Sequence, residues 1–134
     1  TARLAAQYHR AEDIVTIKAQ QARFTAAVEA QDALAMIAAN RDFHAAIADA
    51  GRNPYYIALF KRLLDDGRRI VRLYYQSYED RLPQRFVDEH ESLIDAILAR
   101  DQDAADLLSK AHADQIVRQI QDLFARDQRQ DICL

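Results

Sequence analysis

Residues 40–54 read NRDFHAAIADAGRNP and contain both a helix with an unusual inner face and the signal that ends this helix. On an α-helix Asn40 and His44 lie one turn apart on the same face, whereas Asp42 projects from nearly the opposite side. The face of Asn40 and His44 is otherwise apolar, with Met36, Ile37 and Ile47. An unsatisfied buried imidazole or amide costs roughly a few kcal/mol, so this polar pair must be hydrogen-bonded, bind a metal or face a wet cavity.

The second half of this stretch predicts a helix hairpin. Gly51 is typical of a helix C-terminus, Asn53 of an N-cap and Pro54 of the first helical position. Asp32 is a suitable N-cap for the preceding helix, which we expect over residues 33–50. A new helix then begins at Pro54.

The composition is typical of an all-α protein. Of the 134 residues, 50% are hydrophobic and 29% are charged, and there are only two Gly, two Pro and no Trp. Such a composition favours long helices over a turn-rich β architecture. We therefore expect an antiparallel helical bundle of about six helices that forms one domain over residues 1–134. Arg3–Ala6 already has the pattern of a helix interior, so we expect a truncated first helix and a further domain upstream.

Charge and cysteine content argue against several classes of protein. The net charge is −3 and basic residues are interspersed with acidic ones, so these residues carry no electrostatic footprint for nucleic acid. The single cysteine, Cys133, cannot form an intramolecular disulfide and is expected to be a bystander thiol in a reducing compartment. No apolar run approaches the roughly 20 residues that span a bilayer, and no signal-peptide pattern is present. We therefore expect a cytoplasmic protein without membrane contact.

The periodicity predicts helices on either side of the hairpin. A helix over residues 12–30 carries Gln21 on its apolar side, which we interpret as packing, and His9, before it, is predicted to lie on the surface. A long helix over residues 54–78 carries Gly67 on its apolar face. A mid-helix Gly costs about 1 kcal/mol relative to Ala, so a bend or a close helix approach is expected there. The other residues of this face are Tyr56, Phe60, Leu63, Ile70, Tyr74 and Tyr78.

The last two predicted helices each carry a histidine in the middle of an apolar stripe: His90 and His112. Together with His44, three of the four histidines lie on apolar faces of three different helices. A lone His on such a face is more often a hydrogen-bonded core residue than a ligand. Inward positions on facing helices of a bundle converge, however, and metal sites are built in such cores. Three neutral imidazoles suit Zn, Ni, Fe or Cu, so they predict a divalent transition-metal site.

Several motifs, in a specific order and spacing, carry a resemblance to a known family. They are Asn40-x-x-Phe43-His44, Gly51-x-Asn53-Pro54, Glu89-His90-x-x-Leu93-Ile94-x-Ala96-Ile97, Asp101, Ala104-Ala105 and Ala111-His112. With these motifs the chain resembles the effector-binding C-terminal domain of the FadR branch of the GntR bacterial transcription regulators, the all-helical FCD type. The resemblance covers almost the whole chain.

The resemblance implies a metal site, an effector and partners. It implies that Asn40, His44, His90 and His112 hold a divalent metal, with a small carboxylate effector bound at or beside it. The commoner family residue at position 40 is Asp, so this chain has one negative charge fewer at the site. The resemblance also implies a ligand-sensing domain without enzymatic activity, a homodimer, and DNA binding only through a winged helix-turn-helix domain upstream of this chain.

Neutral ligands give the predicted site a preference for anions. With imidazoles and an amide as ligands the ion keeps its full positive charge, so an anionic oxygen is the natural occupant of an open coordination position. Two glutamines on the face of His112 and two arginines at the border of the long helix are predicted to hold the remaining effector oxygens: Gln115, Gln119, Arg62 and Arg69. Arg68 and Arg72 fall far from the apolar face and are predicted to be solvated.

Two other classes of function remain open. Three histidines with an open coordination position also describe a hydrolytic zinc site. Against an enzyme, no obvious general base lies on the inward stripes, since Asp42 and Asp49 face away and Glu89 lies off the axis of His90. The other alternative is a metal-free dimerisation module whose histidines hydrogen-bond one another, Asn40 and the inward glutamines. Chelator sensitivity separates this module from a metal site, and ligand-induced stabilisation without product formation separates a regulator from an enzyme.

Overall fold

The computed structural model describes residues 1–130, with side chains up to residue 125, and within these residues it contains seven α-helices and no strand. The helices are α1 (Ala2–Tyr8), α2 (Ala11–Glu29), α3 (Ala33–Ala50), α4 (Pro54–Asp66), α5 (Arg68–Gln76), α6 (Arg85–Leu98) and α7 (Gln102–Gln130). The prediction of an all-α helical bundle is confirmed. Cys133, predicted to be a bystander thiol, lies outside the described residues. Among residues 1–130, no helix combines the length and the apolar character that a membrane crossing requires.

The predicted boundaries of α3 are set by the caps that the sequence suggests. The Asp32 carboxylate accepts a hydrogen bond from the Ala35 N–H at 3.0 Å, and α4 starts at Pro54 with Asn53 as its N-cap. Gly51 ends α3, but with a φ of −75° it is not left-handed; Arg52 takes that conformation, with a φ of 56°. Gly51 instead makes room for α1, because a methyl group there would lie 3.0 Å from the Leu4 Cβ.

The single long helix predicted over residues 54–78 is wrong, because Gly67 divides it into α4 and α5. The prediction that its apolar face packs into the core is also wrong over most of its length. α4 buries no residue, and Tyr56 and Leu63 are 54% and 57% exposed. The physical reason is that α4 packs chiefly along α3 at the outside of the bundle. Only at the end of α5 does the predicted face enter the core, where Tyr74 is buried.

The interior contains two separate apolar clusters. The first joins α1, α2, α3, α6 and the start of α7 and includes Ile17, Phe43, Ile47 and Ile94. The second joins α2, α3, α5 and α6 and includes Phe24, Met36, Tyr74 and Phe86. Side chains from α7 pack against both of them. The bundle therefore has an apolar core at each end and a boundary between the two.

Polar residues occupy this boundary on four helices. On α2, Gln21 lies between Ile17 of the first cluster and Phe24 of the second. The corresponding boundary residues are Asn40 and His44 on α3, His90 on α6 and His112 on α7. We call this set the polar layer. It places the histidines where apolar packing above and below holds each helix in position.

The short helix α1 is held to the bundle by Arg100, in the turn between α6 and α7. The Arg100 guanidinium donates hydrogen bonds at 3.0 Å to the carbonyl oxygens of Gln7 and His9, at the end of α1. His9 is consequently only 8% exposed, and its Nδ1 lies 2.9 Å from the Ala5 carbonyl oxygen. The prediction of a surface position for His9 is wrong, because a local helix end does not show what packs over it.

Candidate metal centre

Three histidines from three helices converge in the polar layer. His44, His90 and His112 each offer one ring nitrogen, and these atoms all lie within 4.8 Å of one another. The ring centroid of His90 lies 5.1 Å from that of His44 and 5.1 Å from that of His112. The sequence-based prediction that these three side chains meet in the core therefore agrees with the structure.

His90 is held in one orientation by its surroundings. Its ring is 1% exposed and stacks on Phe43, with 4.2 Å between centroids. Its Nδ1 lies 2.9 Å from the Gln21 Oε1. The Gln21 amide nitrogen donates to the Val87 carbonyl oxygen at 3.3 Å, so the Gln21 oxygen is the atom that faces His90. Nδ1 of His90 therefore carries the proton and Nε2 carries a free lone pair.

His112 is oriented in the same way, but by a carboxylate. Its Nδ1 donates to the Glu89 Oε2 at 2.8 Å. The second Glu89 oxygen accepts a hydrogen bond of 2.7 Å from the Gln115 amide, whose own oxygen accepts from the Arg85 guanidinium at 2.9 Å. A connected chain of polar side chains thus runs from His112 to the mouth of a 390 Å³ cavity between α6 and α7.

The inward nitrogens of two histidines have no partner within the described residues. The Nε2 atoms of His90 and His112 are buried and make no hydrogen bond. A buried polar atom without a partner costs about 1–3 kcal/mol, so two such atoms in one place need an explanation. A metal ion supplies one, since a metal-binding His commonly donates its other ring N–H to a carboxylate or amide oxygen, as both do here.

The electrostatic state of the imidazoles suits a metal. Burial, followed by the neighbouring His112, lowers the pKa of His44 to about 3. Burial and then the two neighbouring histidines lower the pKa of His90 well below its ordinary value. Both rings are therefore neutral near pH 7, which is the form that binds a metal.

The spacing also suits a metal after small movements. Zinc binds imidazole nitrogen at about 2.0–2.1 Å, which places the nitrogens of a tetrahedral site about 3.3 Å apart. The nitrogens lie within 4.8 Å of one another, so binding would require each pair to approach by about 1.5 Å at most. Three protein nitrogens leave at least one coordination position for a further ligand.

The structure places the other predicted site residues at different distances from this centre. Asn40 lies one turn before His44 on α3 and lines a small cavity toward α4 and α5. Gln115 contacts Glu89, as described, and Gln119 lies one turn farther along α7. The Arg62 side chain is 82% exposed and faces Asp66, and Arg69 is exposed. Roles for these five residues in metal or effector binding stay predictions.

Sequence reasoning missed two residues of the site, Gln21 and Glu89. Gln21 has a visible signal, because it is a polar residue 2% exposed in an apolar stripe, the same pattern that drew attention to the histidines. Glu89 has none: its register places it off the axis of His90, and only the packing of α6 against α7 brings it to His112. The sequence analysis places Glu89 off the axis of His90 and does not anticipate its contact with His112.

Comparison with known proteins adds a family to this geometry. The profile of the FCD domain matches residues 1–115, a segment that contains the three histidines of the candidate metal centre. No match was found among curated proteins. Because the matched segment covers most of the 134 residues, the chain belongs to the FCD domain family, the C-terminal effector-binding domains of GntR/FadR-type regulators.

Proposed function

We propose that this domain binds a divalent transition metal, zinc or nickel or a similar ion, through His44, His90 and His112, with Asn40 as a fourth, weaker ligand. A small carboxylate effector occupies the open coordination position. The observation that carries this proposal is the pair of buried, unpartnered Nε2 atoms of His90 and His112, each on a ring that Gln21 or Glu89 orients. Family membership supports a ligand-sensing regulator domain.

The preference for a carboxylate follows from the charges of the ligands. Three neutral imidazoles and an amide leave the charge of the ion uncompensated, and an anionic oxygen ligand offsets it. Glu89 lies on the Nδ1 side of the His112 ring and is already hydrogen-bonded to His112 and Gln115. Its position suits orientation of His112 more than direct coordination.

The remaining parts of the proposal come from the family. We infer that effector binding acts on a winged helix-turn-helix domain upstream, in a cytoplasmic homodimer whose two effector domains set the spacing of the DNA-reading domains. The effector then regulates by its different affinity for two arrangements of that dimer. Gln115, Gln119, Arg62 and Arg69 are proposed contacts of the effector.

The metal content of the purified chain tests the proposal. Elemental mass spectrometry on untagged protein, purified without metal resin, is expected to find about one ion per chain. His44→Ala and His112→Ala are expected to lose the ion, and His9→Gln, which alters the one histidine outside the polar layer, to keep it. Circular dichroism of each variant excludes unfolding as the cause. Absence of metal from the wild type, even after incubation with Zn, Ni and Mn and desalting, would contradict the proposed metal site.

A chelator distinguishes this proposal from a metal-free dimerisation module. If the ion contributes to folding, EDTA lowers the thermal midpoint of the wild type and has no effect on His112→Ala. A wild type that loses no stability in EDTA, and contains no metal, is the result that the metal-free module predicts.

A further inference from the structure

The outer side of α4 and α5 carries an exposed apolar stripe. Its members recur at alternating spacings of three and four residues, the heptad pattern of a helix that pairs with another helix. Five of them are apolar and 47–57% exposed, and the sixth is an exposed aspartate. The stripe, which we call the α4–α5 stripe, consists of Tyr56, Leu59, Leu63, Asp66, Ile70 and Leu73.

The stripe continues across the one-residue break between the two helices. The Gly67 N–H donates to the Leu63 carbonyl oxygen at 2.9 Å, and the Gly67 carbonyl oxygen accepts from the Val71 N–H at 3.0 Å. On its other side α4 is held to α3, where the Arg41 guanidinium donates to the Asp65 carboxylate at 2.9 Å. Among the helices of the described residues, α4 packs against α3 and α5 alone. The outer side of α4 therefore faces solvent in the single chain.

The exposed apolar surface has the size of a protein interface. Half-exposed Tyr, Leu and Ile side chains contribute roughly 100 Å² each, so the five present roughly 500 Å² per chain. A standard interface buries about 800 Å² on each partner. Tyr55, which is 84% exposed, and Phe60 border the stripe and extend this area. Near the start of α4 the stripe also lines a hollow of about 160 Å³, which can accept an aliphatic side chain of a partner.

A second copy of the chain, placed antiparallel, matches the stripe along its whole length. With a two-fold axis between Leu63 and Asp66, the spacings on the two sides of the axis are equal. Every contact then occurs twice, as an isologous dimer requires. The opposed pairs are Tyr56 with Leu73, Leu59 with Ile70, and Leu63 with Asp66.

Asp66 favours the antiparallel orientation over a parallel one. In a parallel pair the two Asp66 carboxylates would face each other within the apolar contact, which is unfavourable. In the antiparallel pair, Arg62 of the second copy lies within one residue of Asp66 along the helix axis, about 1.5 Å. Arg62 and Asp66 lie 3.7 Å apart within one chain, and their side chains are 82% and 71% exposed. Both groups are therefore free to form the same ion pair between two chains.

We propose that the α4–α5 stripe is a homodimerisation surface along which two copies pair antiparallel, with Arg62 of each copy facing Asp66 of the other. This inference rests on the homodimer of the proposed function and assigns its surface and orientation. It is independent of the metal, because no member of the stripe belongs to the polar layer.

Sedimentation equilibrium of the 134-residue chain tests the surface. The wild type is expected to be a dimer, and Leu59→Glu and Leu63→Glu are each expected to weaken it about 100-fold or more, since both copies carry the change. Neither change should unfold the chain, because α4 buries no residue. Circular dichroism checks the folding. Leu34→Glu and Leu107→Glu, which alter residues 76% and 68% exposed on α3 and α7, are expected to leave the dimer unchanged.

A charge exchange between chains tests the orientation. Arg62→Asp and Asp66→Arg each place like charges opposite one another and are expected to weaken their own homodimers. Mixed in equal amounts, they restore both ion pairs, so native mass spectrometry is expected to find mainly the heterodimer. No effector is present in this assay. A mixture that forms no more heterodimer than either variant forms homodimer overturns the antiparallel pairing.

The remaining outcomes separate this inference from the proposed function. A wild-type dimer that Leu59→Glu and Leu63→Glu leave intact overturns the inference and places the homodimer on another surface. A wild type that stays monomeric overturns the inference together with the proposed homodimer, and leaves the stripe to a different protein or a lipid surface. A wild-type dimer that both leucine variants disrupt, but that binds no zinc, supports the inference and removes only the proposed metal site.

Discussion

At the scale of single residues, the two ring nitrogens of His90 differ in what they contact, and the same is true of His112. In His90 and His112, Nδ1 donates to an oxygen outside the histidine cluster, which leaves Nε2 as the inward lone pair. The two acceptors differ, since Gln21 is neutral and Glu89 is a carboxylate. A negatively charged acceptor strengthens an imidazole as a metal ligand, so His112 is expected to be the stronger ligand.

Glu89 also supplies negative charge to a site that lacks it at position 40. We predict that Glu89→Gln lowers metal affinity about 10–100-fold, because the amide still accepts the hydrogen bond from His112 but no longer offsets the charge of the ion. Competition with a metallochromic dye at pH 7.5 measures the affinity. Folding is expected to be little affected, because Gln has the same shape.

Asp88→Asn is the matched control for Glu89→Gln. Asp88 is adjacent on α6, is exposed and also lines the outer cavity, but among the described side chains it makes no hydrogen bond or ion pair with a histidine. Equal metal affinity in the wild type and Glu89→Gln, or an equal loss in Asp88→Asn, would show that the contact between Glu89 and His112 does not tune the ion.

At the scale of helices, the sequence predicts a helix boundary correctly where both partners of the capping hydrogen bond lie close together in the chain. The Asp32 and Asn53 caps bond to N–H groups only two or three residues away, so the sequence contains both partners. Contacts between helices are different. Glu89 reaches His112 only because of the relative orientation in which α6 and α7 pack, and no pattern within α6 determines that orientation.

The break at Gly67 shows the same limit within one apparent helix. The apolar face continues from α4 into α5 in the sequence, yet α4 lies outside the core and Tyr74 of α5 lies inside it. Periodicity shows that a face is apolar, but which neighbour covers the face depends on the path of the chain. Gly67 itself was the local sign that this path changes.

The attachment of α1 depends on one side chain from a distant turn. We predict that Arg100→Ala destabilises the protein by about 1–2 kcal/mol, because the carbonyl groups at the end of α1, some of them partly buried, lose their charged donor. Ala keeps a Cβ at this position, whose φ is 56°, so backbone strain is unchanged. Urea unfolding followed by circular dichroism measures the difference.

Arg3→Ala is the control for Arg100→Ala. Arg3 also joins α1 to α7, but through an exposed ion pair with Asp103. Exposed pairs contribute little to stability, so the unfolding midpoint of this variant is expected to stay close to that of the wild type. Equal midpoints for Arg100→Ala and the wild type would mean that packing alone holds α1.

At the scale of the whole molecule, the polar layer lies between two apolar clusters that each hold several helices together. The layer adds little apolar packing of its own, and it keeps His44 and His90 in a place where protonation is unfavourable. The fold and the site are therefore coupled: a change in the charge of the layer acts on the contact between the two halves of the bundle.

This coupling predicts that the metal-free protein loses stability in acid before its carboxylates titrate. His44 has a folded-state pKa of about 3 against an ordinary value of 6.5, and the pKa of His90 is lowered in the same direction. Between these values the unfolded chain binds more protons than the folded one. Stability is therefore complete above about pH 6.5 and falls as the pH drops toward 3, by about 1.4 kcal/mol per pH unit for each proton.

Urea unfolding of the EDTA-treated protein at pH 7.5, 6.5, 5.5 and 5.0 measures this slope, and His44→Gln, which cannot titrate, is expected to flatten it. If the proposed site binds zinc, zinc is expected to add stability at pH 7.5, and this increment is expected to shrink at pH 5.0 because protons compete for the same nitrogens. A metal-free protein equally stable at pH 7.5 and 5.0 would contradict the buried, neutral state of His44 and His90. A zinc increment independent of pH would instead place the ion on ligands other than imidazole.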